Sequence, residues 1–221
     1  MYSGFPQISL GLCCINTTLR KQKPPVFCSR TCIRKIYSVE RAQSLALQNI
    51  QDIITMIEWN EIHKIRCFRL NSNIFPHFTD PQTESYTIDF AKSDLQKAGD
   101  IANKYKHRIV MHPSQYNNIG AKNNQMLENT TKDLSHHADI LDYMNIDGDG
   151  VLIVHGGGLY GDKVSTIHRW LDQYDDLPQN VKNRLVLENC ESRFLQKTAS
   201  KSLKAITPIL LKKYHSTCSV I

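Results

Sequence analysis

The sequence predicts an α/β fold of the TIM (β/α)8-barrel type, incomplete, with about six βα units. Three observations predict it. Short apolar runs alternate with amphipathic stretches of helical period, the pattern of βαβ units on a parallel sheet. The runs are nearly continuous in apolar residues, as strands buried on both faces are. Three of them stop at a residue able to ligate a metal: "RIVMH" at His112, "VLIVH" at His155 and "RLVLE" at Glu188. A barrel gathers strand C-termini at one face, where its active sites lie, so residues far apart in sequence converge there.

The elements follow in order. "ISLGLCC" (8–14) reads as a strand. Residues 40–59 place Leu45, Leu47, Ile50, Ile53, Ile54 and Ile57 at a period near that of a helix. "IRCFRL" (65–70) is a second strand, and the polar stretch 71–87 the longest loop. A helix over 88–105 turns Phe90, Leu95, Ala98 and Ile101 inward. A strand over 108–112, a helix over 124–143 and a strand over 150–155 follow. A helix over 163–174 is built around Ile167, Trp170 and Leu171. A strand over 184–188 comes next, and "ITPILL" (206–211) is a candidate sixth. The competing open, doubly wound sheet announces itself by a glycine-rich phosphate turn, and "LGLCCIN" has no GxGxxG. The "HGGG" at 155–158 has the look of an oxyanion loop, but no GxSxG nucleophile elbow accompanies it.

The chain has 221 residues, enough for a sizeable core, with 41% hydrophobic and 22% charged residues, the balance of a soluble protein. No apolar run is long enough to span a bilayer, and the first residues lack the basic-then-apolar pattern of a signal peptide. A net charge of +6 leans mildly toward polyanions, with clusters at Arg20, Lys21 and Lys23 and at Lys201, Lys204, Lys212 and Lys213. Seven scattered cysteines point to a reducing, intracellular compartment. The Cys28–Cys32 spacing, with Cys13 and Cys14 upstream, is weak as a zinc signal, and free thiols are expected.

Two imidazoles and a carboxylate make a mixed nitrogen and oxygen donor set, suited to Mn²⁺, Zn²⁺ or Fe²⁺. A carboxylate such as Glu188 can bridge two cations, and paired metals suit phosphodiester hydrolysis. The same set would serve a sugar isomerase. A single histidine at a strand end is more often structural; the repeat of the pattern at three strand ends shifts the balance to ligation. His63, His107, His136, His137 and His168 are expected to be solvated. The glycines after His155 most simply relieve the turn. Gln115 and Tyr116 could enter a duplex, where side-chain wedges unstack bases. On the residues alone, the preferred reading has Tyr116 packing locally and Gln115 capping a turn.

Five stretches together resemble the UV-damage endonucleases: "LGLCCIN" (10–16), "IEWNEIHKIRCFRLNSNIFPH" (57–77), "MHPSQYN" (111–117), "VHGGGLYGDK" (154–163) and "RLVLENCE" (184–191). The resemblance implies a barrel enzyme with a multi-metal, manganese-dependent cluster. It would act on damaged double-stranded DNA and cut the phosphodiester immediately 5′ of a UV photoproduct. No membrane and no organic cofactor is implied. His112, His155 and Glu188 match the family's metal ligands, with Glu188 bridging. Gln115 and Tyr116 match the pair that probes the damaged dinucleotide. Asn16 and His77 match polar residues near the lesion and the cut phosphate, and Arg69 a support of the barrel top.

The chain departs from the family pattern at Leu12, where a probing tyrosine is common, and at Asn71, which replaces a serine. After Glu191 the match decays: in "PILLKKYH" (208–215), Lys212 stands where an aspartate ligand is expected and Tyr214 at the first of two histidines. Only His215 still fits as a ligand. Residues 1–221 therefore read as a single barrel-like endonuclease domain whose segment 192–221 is divergent, the barrel being C-terminally truncated or divergent. Two alternatives stay open: an abasic-site endonuclease or sugar isomerase on the same barrel, and a catalytically inactive remnant that binds DNA or a partner.

Overall fold

The computed structural model describes residues 9–158, 160–188 and 218–219. The expected strand at 206–211, and His215 with it, lies outside the described residues. Along the chain come β1 (Ser9–Cys13), α1 (Thr17–Arg20), α2 (Val39–Ile62), β2 (Cys67–Leu70), α3 (Lys92–Lys104), β3 (Arg108–Met111), α4 (Asn124–Tyr143), β4 (Leu152–Val154), α5 (Lys163–Asp175), α6 (Gln179–Arg184), β5 (Leu185–Leu187) and β6 (Cys218–Ser219). Two compact units result, one from residues 1–111, 140–150 and 216–221, the other from 112–139 and 151–215.

In the first unit the strand order is β6-β1-β2-β3, and every pair is parallel. Chain order and spatial order coincide from β1 to β3. That is the winding of a barrel, whereas a doubly wound sheet reverses beside its first strand. Phe68, Leu70, Ile109 and Met111 on β2 and β3 are fully buried. Ser38 caps α2, its Oγ accepting from the Arg41 N–H at 3.2 Å. The inward face of α2 runs through Ala42, Ala46, Asn49, Ile50, Ile53, Met56 and Ile57. Leu47, expected inward, is 37% exposed, because the buried stripe of α2 runs through Ala42 and Ala46 and not through the leucines. Asn49 is fully buried and ties two loops to α2: it accepts from the Arg30 N–H at 2.7 Å and donates to the carbonyls of Arg30 (3.1 Å) and Ile74 (2.8 Å).

On α3 the buried residues are Leu95, Ala98, Gly99 and Ala102. Gly99 lies mid-helix, where glycine costs about 1 kcal/mol against alanine. A Cβ there would overlap the Met144 carbonyl, so the glycine permits a close approach of backbones. His107, expected to be solvated, is buried at the head of β3. Burial pushes its pKa down, and the neutral ring faces the Glu61 carboxylate from Nε2 at 3.1 Å, while Arg66 donates to the other Glu61 oxygen at 2.8 Å.

In the second unit β4 and β5 pair in parallel, Leu152 opposite Leu185 and Val154 opposite Leu187. Asp162 caps α5, its carboxylate accepting from the Val164 N–H at 3.0 Å. Trp170 of α5 is fully buried and stacks on Tyr174, ring centroids 5.5 Å apart. His136 and His137, also expected in solvent, are interior residues of α4. The inward stripe passes through Thr130, Leu134, His137, Ala138 and Leu141. His137 Nδ1 lies 2.7 Å from the Asp133 carbonyl, one turn earlier, a local partner that lets an imidazole sit inside. Burial holds the His136 pKa well below its ordinary value. His63 and His168 are exposed, as expected.

Cys13, Cys14, Cys28, Cys32 and Cys67 are free thiols. Burial pushes the Cys28 thiol up to about 11. Among the described residues no helix is long and apolar enough to cross a membrane.

Candidate metal centre

All three strand-end ligands read from the sequence belong to the second unit, and the structure brings them together. The pairing of Val154 with Leu187 ends the β4–β5 ladder, so the next residues, His155 and Glu188, leave adjacent strands side by side. The Glu188 N–H donates to the Val154 carbonyl at 2.8 Å, which fixes the carboxylate's backbone at the mouth of the pair. His112 comes to the same point. Glu188 Oε2 lies 3.1 Å from His112 Nε2 and 3.3 Å from His155 Nδ1, and the two rings are tilted by 60° at 5.0 Å. One ligand atom from each residue lies within 4.8 Å of the others. The side chains are accessible, His112 19%, His155 34% and Glu188 43% exposed, so a cation and a substrate can reach them.

The donor chemistry fits a cation. His112 Nδ1 faces the Pro113 carbonyl at 3.1 Å, a contact that only an N–H can satisfy. A neutral ring in that tautomer turns the lone pair of Nε2 toward Glu188. Nε2 and Glu188 Oε2, 3.1 Å apart, then offer a cation one nitrogen and one oxygen ligand. A backbone carbonyl that holds one imidazole nitrogen is also the usual outer support of a metal-ligating histidine. Among the described residues this is the one group of histidine, cysteine and carboxylate side chains with such spacing.

The loop that follows His112 carries Gln115 and Tyr116, both exposed. Tyr116 is 81% exposed, which overturns the expectation of local packing: the backbone 113–117 turns on itself, with Asn117 N–H donating to the Ser114 carbonyl at 3.0 Å, and leaves the ring outside. The next residues anchor the loop. Asn117 is buried and donates to Asp133 at 2.6 Å; Asn118 N–H donates to Thr130 Oγ1 at 3.0 Å.

A feature the sequence reading missed joins this loop to the one after β4. Asn118 Nδ2 donates to the Tyr160 hydroxyl at 2.6 Å, and the Tyr160 ring lies 5.6 Å from Lys122 Nζ and 5.3 Å from the Arg169 guanidinium. Gly157, at φ +82°, leaves room for the Asn118 amide, which a Cβ would overlap. The triplet "GGG" signals a turn, but nothing in the residue pattern names Asn118 as the partner that needs the space. Gly157→Ala is expected to destabilise the protein by about 2 kcal/mol, from the left-handed backbone and the displaced Asn118. It is also expected to weaken the binding of a divalent cation at the cluster, because His155 is two residues away. Thermal melts with and without Mn²⁺ check both; an unchanged melt would show that the loop rearranges freely.

Asn16 and His77 lie in the first unit. Asn16 is buried and N-caps α1, its Oδ1 accepting from the N–H groups of Thr18 (3.1 Å) and Leu19 (2.9 Å); its Nδ2 has no hydrogen-bond partner among the described residues. His77, at φ +57°, has both ring nitrogens engaged, Nδ1 with Asp80 at 3.1 Å and Nε2 with the Cys32 carbonyl at 2.7 Å. Asp80 in turn binds Arg34, whose guanidinium holds its carboxyl well below the usual range. Arg69 Nε donates to Cys14 Sγ at 3.4 Å.

Comparison with known proteins sets this geometry in a family. The family model described as UV-endonuclease UvdE matches residues 8–217. The UV-damage endonuclease of Schizosaccharomyces pombe is 40% identical over 189 residues, which cover 81% of this chain and 31% of that protein. The UV DNA damage endonuclease of Clostridium perfringens is 31% identical over 192 residues, covering 86% of this chain and 46% of its own length. The crystal structure of SacUVDE superposes with a TM-score of 0.77 at 28% identity, covering 85% of this chain and 62% of that one. The chain thus spans from about a third to about three fifths of the length of these relatives. The likeness to SacUVDE bears out the α/β fold of the TIM-barrel type. Sequence match and fold agree, and the chain belongs to the UV-endonuclease UvdE family.

Proposed function

We propose that this chain is a DNA-repair endonuclease that nicks the phosphodiester immediately 5′ of ultraviolet photoproducts in double-stranded DNA. The observation that carries the proposal is the convergence of His112, His155 and Glu188 in a chain whose relatives are named UV-damage endonucleases. Their side chains hold a divalent cation, manganese in this reading, as part of a multi-metal cluster that His215 helps to complete. Such a cation supplies Lewis acidity and neutralises the charge that builds on the attacking and leaving oxygens.

The remaining roles belong to the chain's own residues. Gln115 and Tyr116, projecting beside His112, enter the duplex at the lesion, where a distorted base pair costs least to open. Asn16 and His77 contact the lesion and the cut phosphate, His77 giving up one of its two ring contacts to do so. Residues 1–221 act as one endonuclease domain, of which 192–221 diverge from the family. An intracellular, reducing compartment suits both the DNA substrate and the free thiols.

The experiment is nicking of supercoiled plasmid, irradiated against unirradiated, with Mn²⁺ or with EDTA. Conversion of the irradiated plasmid alone to open circles, abolished by EDTA, is expected. Equal cutting of both plasmids would remove lesion recognition from the proposal. No cutting by folded protein would remove the activity.

A further inference from the structure

The charge of this chain is placed very unevenly. The first 39 residues contain Arg20, Lys21, Lys23, Arg30, Arg34 and Lys35 and no aspartate or glutamate, the first acid being Glu40. In the rest of the chain 21 basic and 21 acidic residues cancel. The whole formal net charge of +6 therefore resides on one segment.

That segment is a folded platform. It starts on α1, at the C-terminal end of β1, the end of barrel strands where active sites lie. It is fastened at four places. Phe27 N–H donates to Asp52 Oδ2 at 2.7 Å and Arg30 pairs with the same carboxylate. Arg30 exchanges backbone bonds with the buried Asn49. The Cys32 carbonyl receives His77, and Tyr37 donates to the Glu84 carbonyl at 2.5 Å. Cys28 is 1% exposed.

The fastenings neutralise two of the six cations, Arg30 through Asp52 and Arg34 through Asp80. Arg20, Lys21, Lys23 and Lys35 are exposed, and none has a carboxylate partner among the described residues. Arg20 is held over the Phe27 ring at 5.3 Å, with Arg30 over the same ring at 4.5 Å. Ile33, 66% exposed, and Ile36, 48% exposed, flank the last of these cations. An ordinary solvated face mixes both signs of charge. An ordered surface with four unpaired cations, whose framework is fixed in advance by buried hydrogen bonds, suits a polyanion at low entropic cost.

We infer that residues 20–36 grip the phosphate backbone of duplex DNA through Arg20, Lys21, Lys23 and Lys35, independently of base sequence. The choice of DNA as the polyanion rests on the endonuclease reading; the grip itself rests on the charge and the fastenings.

The test is the salt dependence of binding to an undamaged, fluorescent 30-base-pair duplex between 50 and 200 mM KCl. The wild type is compared with the Arg20→Ala/Lys21→Ala/Lys23→Ala/Lys35→Ala variant. A second variant, Lys92→Ala/Lys97→Ala/Lys104→Ala/Lys132→Ala, removes the same charge from α3 and α4. Each phosphate contact contributes about 0.9 to the slope of log K against log salt. The loop variant is expected to flatten that slope by about 3 and to bind at least tenfold more weakly at 50 mM, with an unchanged melting temperature; the helix variant should change the slope by less than about 1. Equal losses in both variants, or none in the loop variant, would overturn the grip. Binding to phosphatidylserine vesicles but not to duplex would overturn the choice of DNA. A wild type that fails to nick irradiated plasmid but shows the expected slopes would sink the activity and leave the grip standing. A nicking enzyme with unaltered slopes would do the reverse.

Discussion

Glu188→Gln is expected to abolish metal-dependent nicking of irradiated plasmid, with a loss on the order of 10³-fold or about 4 kcal/mol of transition-state stabilisation. The substitution keeps the shape of the side chain and removes its charge. Its size follows from the geometry: one oxygen, Glu188 Oε2, is the common neighbour of both imidazoles, at 3.1 and 3.3 Å. An amide there either turns an N–H₂ toward two ligand nitrogens or offers a weaker, neutral oxygen. A binding readout separates this from a general defect. Mn²⁺ should raise the melting temperature of the wild type by several degrees through mass action, and should leave that of Glu188→Gln where it was. His168→Ala, an exposed histidine on α5, should behave as wild type in both assays. Glu188→Gln nicking within twofold of wild type would dismiss this cluster as the centre of the reaction.

The candidate ligands are legible because a parallel strand buried on both faces is written as an unbroken apolar run, and the first polar residue after it marks where the chain emerges. That rule located His112, His155 and Glu188, and each strand ends one residue before its ligand: β3 at Met111, β4 at Val154, β5 at Leu187. Long periodic helices were equally clear, and α4 has the bounds 124–143 that periodicity predicts. Short elements were not. The four residues of α1 and the six of α6 are less than two helical turns, too few for a period to show. The buried histidines were misread because residue type stood in for environment. His107 enters the interior beside Glu61, and His137 because its own helix offers the Asp133 carbonyl. Neither partner can be seen from the histidine itself. The exposure of Tyr116 was missed for the opposite reason: an aromatic next to a turn usually packs, and only the fold shows that this ring stands exposed.

Gly99→Ala is expected to cost the protein about 3 kcal/mol or more, although alanine is the better helix former. The propensity gain of about 1 kcal/mol is real in an exposed helix. Here the added methyl meets the Met144 carbonyl and its carbonyl carbon, both backbone atoms, so no rotamer change can relieve the overlap. Either α3 moves away from the end of α4, opening the contacts of Leu95, Ala98 and Ala102, or the last turn of α4 distorts. Each route loses buried apolar contact in a unit where α3 packs against α2. For a chain of this size each kcal/mol is worth about 2–4 °C, so a fall of about 10 °C in melting temperature is the expected reading. Gly148→Ala is the control, because among the described residues nothing lies within 4 Å of a Cβ at that position; it should melt within about 2 °C of wild type. If Gly99→Ala melts with Gly148→Ala, then α3 and the end of α4 are not pressed together as described, and the glycine answers to something other than packing.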